Sequence, residues 1–255
     1  MRFSRKVRKL FSSDAFASAW EHLTRLTHPV NKSCILDDID WLQFRDLRHK
    51  YPYQPGSPQI NRFEDIVYWI DINVERAQDL WLDRAEPMRI LDLGCGAGYF
   101  LYVCKYFGHK VLGFDTDRDP LFGATMELLG VQRAIGRIER RNPLPDLGQK
   151  FDLVTAHRIC FHRIGKAREG VEWAPTDWKF FIDDIRQRFL EPNGRLLLDF
   201  NPRPDGSSFF NHELREFFLS QGARLFRSKA LLGADPNVRP RFKQTKYRTG
   251  LTGFC

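Results

Sequence analysis

The sequence has few of the features that mark secreted, membrane-spanning or metal-binding proteins. No run of 18 apolar residues occurs in it, which argues against a membrane-spanning helix. No secretory apolar segment follows the basic start, so we expect no signal peptide and a cytoplasmic protein. The five cysteines are odd in number and form no C-x-x-C pair, which predicts reduced thiols and no metal site.

Positive charge is concentrated at the two ends of the chain. Residues 1–10 contain five basic side chains and no acid, and residues 224–255 contain eight against Asp235 alone. The rest carries 27 basic and 31 acidic side chains, so it is mildly acidic although the whole chain has a net charge of +8. This distribution argues against a nucleic acid as partner. It favours contact of the basic N-terminus with a peripheral membrane surface or an acidic partner.

One segment combines a strand, a glycine-rich loop and a helix. Met88 to Leu93 has the near-continuous apolar run of a strand buried on both faces. Gly94, Gly96 and Gly98 permit a sharp turn and the close approach of a ligand. The helix predicted to follow directs its free N–H groups at this loop. The pattern indicates a nucleotide-binding site.

Two acidic residues help to distinguish between possible nucleotides. A dinucleotide loop has the spacing G-x-G-x-x-G, whereas this loop reads G-x-G-x-G with Asp92 two residues before its first glycine. That carboxylate would repel a pyrophosphate but suits a ligand with ammonium and sulfonium charges. A second predicted strand, Lys110 to Asp115, ends in an acid that can accept both ribose hydroxyls. We therefore favour a sulfonium nucleoside.

The run from Arg89 to Asp117 contains D-x-G-C-G-x-G and then G-x-D at the end of the second strand. In these motifs it resembles class I S-adenosylmethionine-dependent methyltransferases of the small-molecule branch. The resemblance implies an α/β fold with a doubly wound, Rossmann-like, seven-stranded and mostly parallel sheet, and S-adenosyl-L-methionine as cofactor. It also assigns cofactor contacts: the methionine end to Asp92, Gly94, Gly96 and Gly98, the ribose to Asp115, and the edge of ribose and adenine to Thr116.

The chain departs from this family after its third predicted strand. Many relatives have an acid there that contacts the adenine amino group, whereas this sequence has Arg137. Backbone groups at Ile138, or the carboxylate of Glu139, would have to substitute. We interpret Arg137, Arg140 and Arg141 as part of a solvated turn.

Strands and helices alternate along the rest of the chain, as parallel βαβ units require. The predicted helices cover 99–107, 117–129, 177–190 and 211–221, and a turn at 191–194 ends the third of them. The further predicted strands cover 131–135, 151–156, 195–200, 223–232 and 240–247.

The residues before the glycine loop are expected to form a separate helical unit. We predict an N-terminal helical extension or lid over 1–86 and a cofactor-binding domain over 87–255. Helical spacing occurs over 16–26 and 61–82, with the proline-rich segment 51–58 between them.

Methyl transfer mainly requires that donor and acceptor are held in near-attack geometry, and a hydroxyl acceptor usually also needs a general base. Beyond the fourth predicted strand the sequence reads AHRICFH over 156–162. His162 is the candidate base, because His157 matches the position at which relatives contact the cofactor's adenosine. Arg158 and Arg163 are candidates for binding an acidic acceptor.

Asp199 and Asn201, after the fifth parallel strand, are candidates for facing that acceptor. Three functions remain open at this point. The first is methylation of a small-molecule acceptor, with oxygen as the expected atom. The second is an RNA or protein methyltransferase that uses the basic segment 239–248, and the third is a non-catalytic S-adenosylmethionine-binding regulator.

Overall fold

The structure is a computed structural model, and it describes residues 27–51, 65–159, 163–164, 171–201, 209–226 and 228–233. The helices within these ranges are α1 Lys32–Asp37, α2 Trp41–Lys50, α3 Ile66–Asp79, α4 Tyr99–Tyr106, α5 Pro120–Leu128, α6 Pro175–Asp184 and α7 His212–Ser220. The strands are β1 Arg89–Leu93, β2 Lys110–Asp115, β3 Arg133–Ile135, β4 Phe151–Ile159, β5 Arg163–Ile164, β6 Val171–Glu172, β7 Leu190–Phe200, β8 Arg224–Phe226 and β9 Lys229–Leu232. A π-helical turn, Ile185–Phe189, continues α6.

Seven strands form one sheet in the order β3-β2-β1-β4-β7-β9-β8. The first five in this order are parallel, and β9 is antiparallel to both of its neighbours. The predicted doubly wound, mostly parallel sheet is thereby confirmed. The strand order reverses between β1 and β4, so a crevice opens at their carboxyl ends, where ligands of such sheets bind.

The sequence prediction was wrong about the end of the sheet. It expected one strand over 223–232, but this stretch contains both β8 and β9, which pair with each other in antiparallel register. A short hairpin connection allows one such stretch to supply two strands. The other expected strand, 240–247, lies outside the described residues.

The predicted turn at 191–194 lies inside strand β7. Phe151 pairs with Leu190 and Leu153 with Arg195, so the turn residues form an irregularity in the β4–β7 ladder. A bulge accommodates extra residues without ending a strand, which the turn chemistry of Glu-Pro-Asn-Gly did not reveal.

Three helices begin at a short polar side chain that accepts a hydrogen bond from the backbone three residues on. Asp40 caps α2, Asp65 caps α3 and Asn211 caps α7, with distances of 2.9, 3.0 and 2.8 Å. Such caps satisfy a backbone N–H that the helix itself leaves unpaired.

Helix α3 packs on α4, and both cover one face of the sheet. Ile70, Val74 and Ala77 of α3 belong to the same buried cluster as Ile90 of β1 and Leu153 of β4. The predicted extension therefore shares its apolar core with the sheet. The boundary at residue 86 between an N-terminal extension and a cofactor-binding domain stays a prediction.

The cysteine prediction is partly wrong. Cys95 and Cys104 are free thiols, but Cys34 is disulfide-bonded. Spacing in the sequence cannot show which cysteines meet after folding. Within the described ranges, no helix is long and apolar enough to span a membrane.

Candidate functional site

The glycine loop follows β1 and precedes α4. Its three alternate glycines, Gly94, Gly96 and Gly98, have φ angles of +73°, +55° and +77°. Residues other than glycine rarely adopt such φ angles. An added Cβ at Gly94 would meet no atom within 4 Å, so space for a ligand exists beside this glycine.

Asp115 holds the loop against the end of β2. Its Oδ2 accepts a hydrogen bond from the backbone N–H of Gly96 at 2.7 Å, and its Oδ1 accepts from the N–H of Thr116 at 2.6 Å. The Thr116 hydroxyl also lies 3.4 Å from this Oδ1. The structure thus brings the second predicted acid, its neighbour and the glycine loop into contact.

Asp92, at the tip of β1, is buried although it is charged in free solution. The hydroxyl of Thr155 donates to its Oδ1 at 2.7 Å. Burial raises the pKa of Asp92 from 3.8 to about 7, while the Thr155 hydrogen bond and the charge of Arg76 oppose that rise. A cation brought next to this carboxylate would favour its ionised form.

Arg76 of α3 is a site residue that the sequence interpretation missed. Its guanidinium donates to Oδ1 of Asn73 at 2.9 Å, and Nδ2 of Asn73 donates to the carbonyl of Trp69 at 2.9 Å. Burial lowers the pKa of Arg76, whereas the nearby charges of Asp199 and Asp92 raise it. The available signal was a pair of polar residues, three apart, on a helix face that is otherwise apolar.

His157 lies at the junction of the glycine loop and the crevice. Its ring contacts that of Phe100 edge to face at 4.5 Å, and its Nδ1 is 4.0 Å from Oδ2 of Asp199. Both ring nitrogens are buried without a hydrogen-bond partner among the described residues. Burial lowers the pKa of His157 from 6.5 to about 4, although Asp199 opposes this shift. The imidazole is therefore neutral at pH 7.

Asp199 lies near the carboxyl end of β7 and faces His157. The hydroxyl of Ser228 donates to its Oδ1 at 2.9 Å. Burial raises its pKa, but His157, Lys229 and Ser228 outweigh that effect, so the pKa lies below its ordinary value. Asp199 is consequently an anion at neutral pH. An ionised carboxylate can stabilise a neighbouring imidazole when that imidazole is protonated.

The loop after β3 contains the predicted exposed turn, together with ion pairs that the sequence did not indicate. Ile138 is half-buried against the core, and the exposed Arg137 lies 3.8 Å from a carboxylate oxygen of Glu139. Arg140 and Arg141 lie exposed in a turn, as expected, and both also bind the buried Asp177, at 2.8 and 2.6 Å. These ion pairs fix the loop to the start of α6, a contact that cannot be read from the local sequence.

The candidate base His162 lies outside the described residues, as does the proline-rich segment from residue 52 to 58. Arg163 lies in β5, and Asn201 follows β7, where its Nδ2 donates to the carbonyl of Arg158 at 2.8 Å. Among the residues that the structure describes, no group of His, Cys, Asp and Glu could hold a metal ion.

The fold and this loop define a class of protein: a Rossmann-like nucleoside-binding domain with a buried acid at its first strand and a second acid at the next. Residues 68–227 match the family model described as a methyltransferase domain. Because these residues make up more than half of the chain, the chain belongs to this family. The glycine loop, Asp92 and Asp115 all lie within this methyltransferase domain.

The curated relatives include two tRNA U34 carboxymethyltransferases. The enzyme of Aeromonas hydrophila is 28% identical over an alignment that covers 60% of this chain and 44% of that protein. The enzyme of Cronobacter sakazakii is 30% identical, covering 46% of this chain and 45% of that protein. The chain therefore spans less than half the length of these relatives. Their names do not support the expectation that a nucleic acid is not a partner of this chain.

The matches to solved structures are partial and cover about half to two thirds of this chain. SAM-bound CalS10, an amino pentose methyltransferase from Micromonospora echinaspora, is 25% identical with a TM-score of 0.39, over 54% of this chain and 53% of that one. The PH0226 protein from Pyrococcus horikoshii OT3 is 19% identical with a TM-score of 0.42, over 66% of this chain and 70% of that one.

Proposed function

We propose that the chain methylates a hydroxyl oxygen of a small-molecule acceptor bound at the carboxyl ends of β1, β4 and β7. One observation carries this proposal: a buried, neutral His157 lies between the first turn of α4 and the carboxylate of Asp199. Among the described residues neither ring nitrogen of His157 has a hydrogen-bond partner, and a buried polar group in this state calls for an explanation such as catalysis.

The described residues fit the donor in charge and shape. Asp92 would face its positive end, the backbone of the glycine loop would pass beside its methionine part, and Asp115 would accept its ribose hydroxyls. Thr116 and the backbone at Ile138 would lie beside the adenine. We add Arg76 as the group that binds the donor's carboxylate, because its partly buried guanidinium lies close enough to Asp92 to interact with its charge.

S-adenosylmethionine supplies an electrophilic methyl group when it is bound. The chain's own residues have two tasks: to hold the acceptor oxygen in line with that group, and to accept the proton that the oxygen loses. A neutral His157 can accept this proton, and the resulting imidazolium would be stabilised by Asp199. We assign the base to His157, which the sequence had placed at the adenosine. The assignment to His162 remains a separate prediction.

A second candidate function is modification of tRNA. It is favoured by the names of the relatives, which act on position U34 of tRNA. The basic segment 239–248 would then bind phosphates, as the sequence suggested. The two candidates share the donor site and differ in the acceptor and, by the names of the relatives, in the group transferred, which is carboxymethyl rather than methyl.

The deciding experiment uses S-adenosylmethionine labelled in its methyl group and two acceptor pools, a small-molecule extract and total tRNA. We expect label in the small-molecule pool, and its loss in His157→Gln. The exposed His49, changed to Gln in the same way, serves as the control. Label that appears in tRNA alone would overturn the small-molecule proposal, and unchanged transfer by His157→Gln would overturn the assigned base.

Two broader predictions are proposals that rest on the sequence alone. They are the cytoplasmic location and the separate N-terminal unit over 1–86. The proposed contact of the basic N-terminus with a membrane or an acidic partner falls on residues outside the described part of the chain.

A further inference from the structure

His157 and Arg158 are consecutive, yet both side chains reach the same oxygen. Nδ1 of His157 lies 4.0 Å and Nε of Arg158 lies 3.9 Å from Oδ2 of Asp199. In a regular strand, consecutive side chains point to opposite faces of the sheet. The backbone must therefore depart from regular geometry at this position.

A β-bulge causes the departure. Ala156 pairs with Leu198 and Ile159 with Phe200, so two residues of β4 stand opposite Asp199 alone. Bulges occur next to active sites, where they change the direction of a side chain. Here the bulge brings a second side chain to the crevice.

The bulge is strained at Arg158. Its φ of +53° lies in the left-handed region, which is unfavourable for a residue with a Cβ relative to the right-handed conformation. The side-chain amide of Asn201 donates to the Arg158 carbonyl at 2.8 Å and so holds this conformation. Glycine would avoid the strain, so an arginine here is explained best by what its side chain does.

The Arg158 side chain is accessible from the crevice. It is 54% exposed, whereas Asp199 below it is 6% exposed. Its charge also lowers the pKa of Arg76, so the two guanidinium groups are electrostatic neighbours. Arg76 is partly buried and Arg158 is more than half exposed, so Arg158 is the more accessible cation of this pair.

We propose that Arg158 binds an oxyanion, a carboxylate or phosphate, carried by the small-molecule acceptor. A guanidinium presents parallel N–H donors that match both groups. An acidic acceptor held there would place its hydroxyl beside His157. This inference rests on the proposed function and names the substrate class: a small acid with a free hydroxyl group.

The test measures binding of inorganic phosphate to the full chain saturated with S-adenosylhomocysteine, by calorimetry. We expect weak binding to the wild type and a loss of at least tenfold in Arg158→Gln and Arg158→Gly. The control Arg45→Gln removes an exposed arginine of α2 and leaves phosphate affinity unchanged. No phosphate binding by the wild type, or equal affinity in Arg158→Gln, overturns the inference.

Arg158→Gly separates a binding role from a structural one. Glycine relieves the backbone strain, so we expect an equal or higher melting temperature together with lost phosphate binding. A lower melting temperature with unchanged phosphate binding would show that Arg158 only supports the fold.

A third measurement separates this inference from the proposed function. If total tRNA binds and competes with phosphate, and Arg158→Gln abolishes that binding, the site serves nucleic acid and the small-acid inference fails. Failure of the proposed base would instead appear as unchanged methyl transfer by His157→Gln, with the phosphate site intact. If only the inference about Arg158 fails, Arg158→Gln binds S-adenosylhomocysteine with the same affinity as the wild type.

Discussion

His157 and Asp199 face each other across β4 and β7, with 4.0 Å between Nδ1 and Oδ2. Both side chains are almost fully buried, and the pair consists of a neutral imidazole and a carboxylate whose pKa is lowered. A regular ladder that continued from Ala156 and Leu198 would already place His157 opposite Asp199, and the bulge in β4 adds Arg158 beside them. Position and charge state together support the proposed roles of His157 as base and Asp199 as its orienting acid.

The buried imidazole makes the fold sensitive to acid. Burial holds the pKa of His157 at about 4, below 6.5, so between these values the unfolded chain binds a proton that the folded chain does not. Stability therefore falls as the pH falls through this window. Between pH 7 and pH 5 the free energy of unfolding, measured with urea, should fall by about 2 kcal/mol less for His157→Gln than for the wild type. Equal losses in both proteins would contradict the neutral, buried imidazole.

The parallel part of the fold was predictable because its signals are local. Apolar runs such as Phe151 to Ala156 and the alternation with helices specify βαβ units. The hairpin of β8 and β9 was not predictable, because antiparallel pairing depends on contacts between strands. The same holds for the ion pairs of Arg140 and Arg141 with Asp177, which join residues 36 positions apart or more.

Part of the candidate site was likewise predictable. Asp92, the glycines and Asp115 stand in one short stretch, and the structure brings them together. Arg76 comes from a helix before that stretch, and Asp199 from a strand far beyond it. Their convergence is a product of topology, because the sheet gathers strand ends that are distant in sequence.

Asp115 should prove essential for binding the donor. Asp115→Ala removes the proposed ribose acceptor and also the hydrogen bond that holds the Gly96 N–H. We expect the affinity for S-adenosylhomocysteine to fall by about 1.5–3 kcal/mol, the usual worth of hydrogen bonds to a charged group, measured by calorimetry. Asp117→Ala, two residues on and more than half exposed, is the matched control. Similar affinity losses in both variants would refute the ribose assignment.

Arg76 should contribute to the same binding through a different atom. Arg76→Met removes the proposed partner of the donor's carboxylate, so we expect at least a tenfold loss of affinity for S-adenosylhomocysteine. Adenosine lacks that carboxylate, so its affinity should change much less. Arg84→Met is the control, because Arg84 is also largely buried but pairs with its neighbour Asp83. Equal losses for both ligands would mean that Arg76 only supports the site's structure.

Asp92 should show a conflict between stability and function. Its folded pKa of about 7 exceeds 3.8, so the folded chain holds a proton that the unfolded chain releases between these values. This stabilisation is present at low pH and is lost as the pH rises towards 7, on the order of 4 kcal/mol in total. Asp92→Asn cannot ionise, and its amide oxygen can still accept from Thr155.

Without donor, Asp92→Asn should therefore be more stable than the wild type at pH 8, with a smaller difference at pH 5, in urea unfolding. Its affinity for S-adenosylmethionine should fall, because the sulfonium and ammonium charges lose a buried anion. Adenosine carries neither charge, so its affinity should stay nearly constant. A variant that is less stable at pH 8 would contradict the raised pKa, and unchanged donor affinity would remove Asp92 from the binding site.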